Sequence, residues 1–191
     1  MIPVSAHAFI SAPREEIFEF VADYGARPAW CDHFMSDYRL AHPDAHGEGA
    51  GARYLLDAPG YKHYVEVTLV KAESPRLIVE ALHGGRNLKT KGEIDWTLTR
   101  EAGGQTRVEV TFGQEPGTPR EVFKERFGSK RWTQRQLGVA LERLRVIFEE
   151  QPDQPLARAS VAGSEPLRSP RFGASPRRSG TSNTTSTSRA S

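Results

Sequence analysis

The sequence predicts an α+β domain in which a strongly curved antiparallel sheet of about seven strands wraps around one long C-terminal helix, with two short helices after the first strand. Three observations predict it. A strand-like run, Val4–Ile10, leads directly into a helix signal at Ser11-Ala12-Pro13-Arg14-Glu15-Glu16-Ile17-Phe18. Strand-like runs then follow one another without a second long helix. Finally, Thr118-Pro119-Arg120-Glu121 opens a helix predicted to reach about Glu150. A single long helix after a sheet must bury its apolar stripe on the sheet's concave face. If the sheet is strongly bent, the space between the two becomes a pocket for a small molecule.

The elements follow in order. Pro13 suits the first turn of the first helix, where a missing N–H costs nothing, and Glu15 and Glu16 suit its positive end. Ile17, Phe18, Val21 and Ala22 recur at three- and four-residue spacing and form its buried face. Gly25 and Pro28 interrupt it, Ala29-Trp30-Cys31-Asp32-His33-Phe34 reads as a short second helix, and Pro43 with Gly47-Glu48-Gly49-Ala50-Gly51 marks a loop. From Ala52 the period changes to two. Strands are predicted at 36–40, 53–57, 63–70, 77–83, 91–99 and 106–112. Connections as short as Ala58-Pro59-Gly60, Glu73-Ser74-Pro75 and Ala102-Gly103-Gly104 make consecutive strands antiparallel neighbours.

Alternation assigns the faces. Val65, Val67 and Leu69 oppose Tyr64, Glu66 and Thr68; Leu77, Val79 and Ala81 oppose Glu80; Ile94, Trp96 and Leu98 oppose Glu93, Asp95 and Thr97; Val108, Val110 and Phe112 oppose Arg107, Glu109 and Thr111. One face is apolar and one polar, as in an antiparallel sheet covered on one side. In the closing helix Thr118, Pro119 and Glu121 form a capping box, and Phe123, Phe127, Leu137, Leu141, Leu144 and Phe148 form an apolar stripe. Lys130 and Gln134 interrupt the stripe, and Gly128 is a site for a kink. Two readings stand side by side: the early part of the helix overhangs solvent, or Lys130, Arg131 or Gln134 looks into a cavity.

Composition narrows the class. At 37% hydrophobic and 26% charged residues, the chain is an ordinary globular one, and no apolar run approaches the ~18 residues of a membrane span. Cys31 is alone, so no internal disulfide is expected, and the N-terminus lacks the pattern of a signal peptide. Together these predict a cytoplasmic location. Of the net +2, residues 151–191 carry +4 and the first 150 residues −2, so no nucleic-acid surface is expected on the domain. Residues 1–150 are therefore read as a ligand-binding domain. Residues 151–191, rich in Ser, Thr, Pro and Arg, are read as a disordered tail with at most weak contacts to acidic surfaces.

Particular motifs carry a resemblance. Ile10-Ser11-Ala12-Pro13 with Glu16-Ile17-Phe18 and Trp30 is similar to the opening of the SRPBCC superfamily, the START-related or birch-pollen-allergen-like helix-grip fold. Gly49-Ala50-Gly51-Ala52-Arg53-Tyr54 resembles its glycine turn entering a strand. Glu66-Val67-Thr68-Leu69-Val70 with Ser74-Pro75-Arg76-Leu77 resembles its long hairpin, and Gly103-Gly104-Gln105-Thr106-Arg107-Val108 its last strand. The resemblance covers roughly residues 2–150 and is nearest the polyketide cyclase/dehydrase and lipid-transport branch. It implies a cavity between sheet and helix but no single activity.

Chemistry is sparse. There is no G-x-S-x-G elbow, phosphate-binding P-loop, H-E-x-x-H or paired-cysteine pattern. No cofactor is expected, and no metal, because two histidines fall short of the three or four ligands of a zinc site. If Val70 pairs with Arg76, His63 lies opposite His83 on the face of Val65. That pair reads either as an acid/base or ligand-orienting couple, or as two histidines at a strand end. Trp30, Tyr54, Trp96, Phe112, Phe123 and Phe127 read as cavity wall or as ordinary core. The candidate ligand contacts are these six with His63, Val65, Val79, His83, Lys130 and Gln134; the candidates for catalysis are His63, His83, Arg131 and Gln134. The expected function is binding or transport of a hydrophobic small molecule (lipid, quinone-like or polyketide-like) without turnover. The alternative is an aromatase/cyclase-type enzyme using polar cavity residues.

Overall fold

A computed structural model of the chain describes residues 3–85, 88, 90–115, 130–150, 155–164 and 172. The chain enters through β1 (Val4–Ile10) and turns into helices α1 (Arg14–Ala22) and α2 (Pro28–Cys31). Six consecutive antiparallel strands follow: β2 (Met35–Leu40), β3 (Gly51–Ala58), β4 (Tyr61–Glu73), β5 (Leu77–Gly84), β6 (Thr90–Arg100) and β7 (Thr106–Glu115). They form one sheet of order β1-β7-β6-β5-β4-β3-β2. The first strand thus closes on the last, with Val4 opposite Phe112 and Ile10 opposite Thr106. Helix α3 (Lys130–Glu149) lies in the curl of this sheet and packs chiefly along β1. This is the predicted helix-grip α+β fold.

Local chemistry explains the elements. Pro13 is extended (φ −59°, ψ 137°) and immediately precedes α1 instead of lying in its first turn; Ile17, Phe18, Val21 and Ala22 form the buried face. Gly103 and Gly104 turn the chain between β6 and β7 at φ 77° and 81°, a region that a β-carbon disfavours. On α3 the buried side chains are Leu137, Ala140, Leu141, Leu144 and Ile147. Glu149 ties α3 back to the start of the fold by accepting from the Ser11 backbone N–H at 2.7 Å. The Thr118 capping box, Phe123, Phe127 and Gly128 lie outside the described residues.

The strand faces follow the alternation, with one exception. Inward residues are Val65, Val67 and Leu69 on β4, Ile94, Trp96 and Leu98 on β6, and Val108 and Val110 on β7, all at most 8% exposed. On β5 the expected faces are reversed. Ile78, Glu80 and Leu82 are buried, Val79 is half-buried and His83 is exposed. The cause is register. The turn lies at Ser74–Arg76, where Arg76 N–H donates to Glu73 O, and a bulge between Leu69 and Lys71 adds a residue to β4. His83 then lies opposite Glu66, and His63 opposite Leu56 on the other neighbouring strand. The predicted His63–His83 cross-strand pair does not form, because His83 lies opposite Glu66, three positions along from His63, and an odd slip turns a whole strand over.

Beyond residue 150, a small hairpin of β8 (Ala159–Ser160) and β9 (Gly163–Ser164) lies against β2. Ala159 N–H donates to Gly25 O at 2.8 Å, and Arg158 pairs with the nearly buried Asp23 at 2.7 Å. Leu156 and Ala159 also pack, partly buried, against the hydrophobic core.

Candidate functional site

The concave face divides along the strands. At one end Leu69, Ile78, Leu98, Val108 and Ile10 are sealed, each no more than 2% exposed. At the other end the inward residues Leu56, His63, Gly92 and Phe112 are half-exposed. Two glycines let their neighbours pack closely at this end. A β-carbon on Gly84 would stand 3.3 Å from His63 Nε2, and one on Gly92 would stand 2.9 Å from Gly113 O and 3.5 Å from Leu82 and Phe112. The residues just after α2 pack against α3. Phe34 meets Trp132 edge-on at 6.5 Å, His33 Nε2–H donates to Gln136 O at 3.2 Å, and Arg143 pairs with Asp32. Burial, and next the Arg143 guanidinium, push His33 down to about 4, so its ring is neutral at physiological pH.

Between the two ends lies a polar cluster that the alternation pattern concealed. Glu80, fully buried, accepts from Tyr24 O–H (3.0 Å), Arg27 Nη2 (2.5 Å) and Trp96 Nε1–H (3.1 Å). Arg27 also donates to Val21 O at 3.1 Å. Its guanidinium lies 5.0 Å from the Tyr24 ring, 5.1 Å from Trp30 and 5.5 Å from Trp96, a cation held among three aromatic rings. Burial works against the charge on Arg27, but the neighbouring Glu80 carboxylate more than offsets it, and the net direction is upward. Burial, then Glu80, pushes the Tyr24 phenol up. Tyr38 stacks on Tyr54 at 6.0 Å and donates to Tyr24 O.

The candidates are placed as follows. Trp30, Tyr54, Val65 and Trp96 face the interior and are buried. His63 and Phe112 face the open end. Val79 and His83 sit on the outer face, so the expectation that they line a cavity is corrected by the β5 register. Arg131 and Gln134 are exposed and Lys130 is half-exposed, because the helix turns Leu137, Ala140 and Leu141 inward. Cys31 is buried and its thiol pushed up by desolvation, the opposite of an activated nucleophile. Sequence reasoning missed Glu80, Arg27 and Tyr24. The available signal was an acid set among Ile78, Val79, Ala81 and Leu82, apolar on both faces of the strand. Among the described residues no cluster of three or more His, Cys, Asp or Glu could hold a metal ion.

A curled sheet gripping a helix, with an apolar open end and a polar middle, defines a ligand-binding domain of the helix-grip class. The chain belongs to the polyketide cyclase/dehydrase and lipid transport family, whose model matches residues 1–149, within the SRPBCC superfamily. No curated protein matches it in sequence. Among solved structures it is similar to the KanY protein (TM-score 0.64, 19% identity, 78% of this chain and 97% of that one). It is also similar to ginseng major latex-like protein 151 from Panax ginseng (0.61, 9%, 78% and 97%) and to a START superfamily protein from Mycobacterium smegmatis (0.57, 16%, 78% and 97%). At these identities the likeness is one of fold.

Proposed function

We propose that the protein binds a hydrophobic small molecule between the open end of its sheet and helix α3, and carries it without chemical change. The observation that carries this reading is the half-exposed apolar pair Leu56 and Phe112 on the inner face of the sheet, with Phe34 bonded to the backbone of Asp57 beside Leu56 and packed edge-on against Trp132. Ligand sites are concave, mostly apolar and furnished with few polar groups. The buried, up-shifted Cys31 and the fully engaged Glu80 favour a carrier over an enzyme. Lipids, quinone-like molecules and polyketide-like molecules all suit such a wall.

Native mass spectrometry of the purified protein is expected to show a retained apolar ligand, recovered unchanged after incubation. The Leu56→Trp variant, which fills the open end with a larger ring, is expected to lose at least about tenfold in ligand affinity while keeping its circular dichroism. Full occupancy in that variant would sink the location. A cyclase-type reading has one observation in its favour, the placement of His63 on the inner face at the open end. If the bound molecule is converted by the native protein but only held by His63→Phe, that reading replaces the carrier.

A further inference from the structure

The buried middle of the concave face contains two hydrogen-bond donors without acceptors. Trp30 is fully buried and Arg27 is 3% exposed, yet neither Trp30 Nε1 nor Arg27 Nε has a partner. Arg14 and Arg107 also have a sheltered Nε without a partner, but their side chains reach the surface. Trp30 and Arg27 do not. A buried N–H left unpaired forfeits its hydration with nothing in return, so such groups in a native interior call for an acceptor.

The residues that carry the two donors are neighbours. Arg27 and Trp30 are three residues apart, at the start of α2, and the guanidinium carbon stands 5.1 Å from the Trp30 ring centroid. The Trp30 ring meets Trp96 edge-on at 5.5 Å, on the inner face of the sheet. The remaining donors there are engaged. Trp96 Nε1–H and both terminal nitrogens of Arg27 bond to Glu80, and Tyr24 O–H joins them.

We propose that Trp30 Nε1–H and Arg27 Nε–H form a polar subsite that receives a neutral oxygen acceptor of the bound molecule, a ketone, quinone or ester carbonyl. The ion pair dictates neutrality. Glu80 already balances the Arg27 charge, so a ligand carboxylate would enter beside a carboxylate with no free cation to meet it. A carbonyl needs only donors, and the site offers two. The subsite rests on the proposed binding of an apolar molecule and narrows its chemistry: an apolar frame carrying an uncharged carbonyl at its buried end, not a free fatty acid and not a plain hydrocarbon.

Three probes of nearly one shape test this: 9-fluorenone, fluorene and fluorene-9-carboxylate, with affinities measured by calorimetry on the full chain. Fluorenone is expected to bind about tenfold tighter than fluorene, the scale of one or two well-made hydrogen bonds, and the carboxylate no tighter than fluorene. In nitrogen–proton spectra the Trp30 indole resonance, assigned by Trp30→Phe, is expected to move downfield with fluorenone and not with fluorene. Trp30→Phe is expected to abolish the preference while keeping the affinity for fluorene. Equal affinity for fluorenone and fluorene, a Trp30 resonance indifferent to the carbonyl, or tightest binding of the carboxylate would each overturn the subsite and leave the apolar binding reading intact. Failure of all three probes to bind would overturn both. The spectrum of the native protein decides the matter even if Trp30→Phe does not fold.

Discussion

A carboxylate with no exposure to water survives only if its lone pairs are met, and Glu80 meets four donor nitrogens and oxygens from three residues. Breaking such a pair on one side leaves a buried charge alone. Glu80→Ala is therefore expected to destabilise the protein by about 3–5 kcal/mol, read as a lower urea midpoint at constant slope. The double variant Arg27→Met, Glu80→Leu is expected to lose less than the sum of the two single changes, since neither charge remains unpaired. Additive losses would show that the pair does not act as a unit. His33 supplies the pH dependence. Its folded-state value lies near 4, held down first by burial and then by Arg143, with Asp32 acting the other way. Unfolded, it titrates near about 6.5. Between those values the unfolded chain binds more protons, so stability rises with pH across the window and is level above it. Relative to His33→Phe, the native protein is expected to lose stability as pH falls from about 6.5 towards 4; parallel pH profiles for the two would refute the assignment.

At the scale of elements, β5 and the C-terminal hairpin carry the lessons. Strand β5 alternates faithfully, yet its inward set contains an acid and its outward set contains Leu77, Val79 and Ala81. A pattern reader therefore chooses the wrong face, and the bulge on β4 is invisible to alternation. The β8–β9 hairpin depends on Arg158, whose Nη2 is 2.7 Å from Asp23 Oδ2, and on Gly25, where a β-carbon would stand 3.0 Å from that same nitrogen. Arg158→Ala is expected to release the hairpin without unfolding the domain. Limited proteolysis is the readout: cleavage within residues 155–164 accelerates while residues 4–115 remain intact. Unchanged cleavage would mean that Ala159 and β2 suffice to hold the segment.

For the molecule as a whole, closure of β1 on β7 shapes the concave face. It brings Val4 beside Phe112 and places α3 along β1, so the helix covers part of the concave face and leaves the end at Leu56, His63 and Gly92 open. The Arg143–Asp32 pair and the His33–Gln136 bond then fix α2 against α3, and with it the position of Trp30 over Trp96. Among the described residues no helix is long and apolar enough to cross a membrane.

Strand order, the single gripping helix and the apolar inner faces of β4, β6 and β7 were legible because alternation and turn residues are local signals, written within a few residues of each other. Trp30, Tyr54 and Trp96 were legible as interior aromatics for the same reason. The facing of Val79 and His83, the fate of Arg131 and Gln134, and the partnership of Glu80 with Tyr24, Arg27 and Trp96 were settled by the tertiary structure alone. These depend on register, on a bulge and on contacts between residues 16 to 56 positions apart. No local pattern encodes them, because a one-residue slip leaves the composition of a strand unchanged and reverses everything it presents.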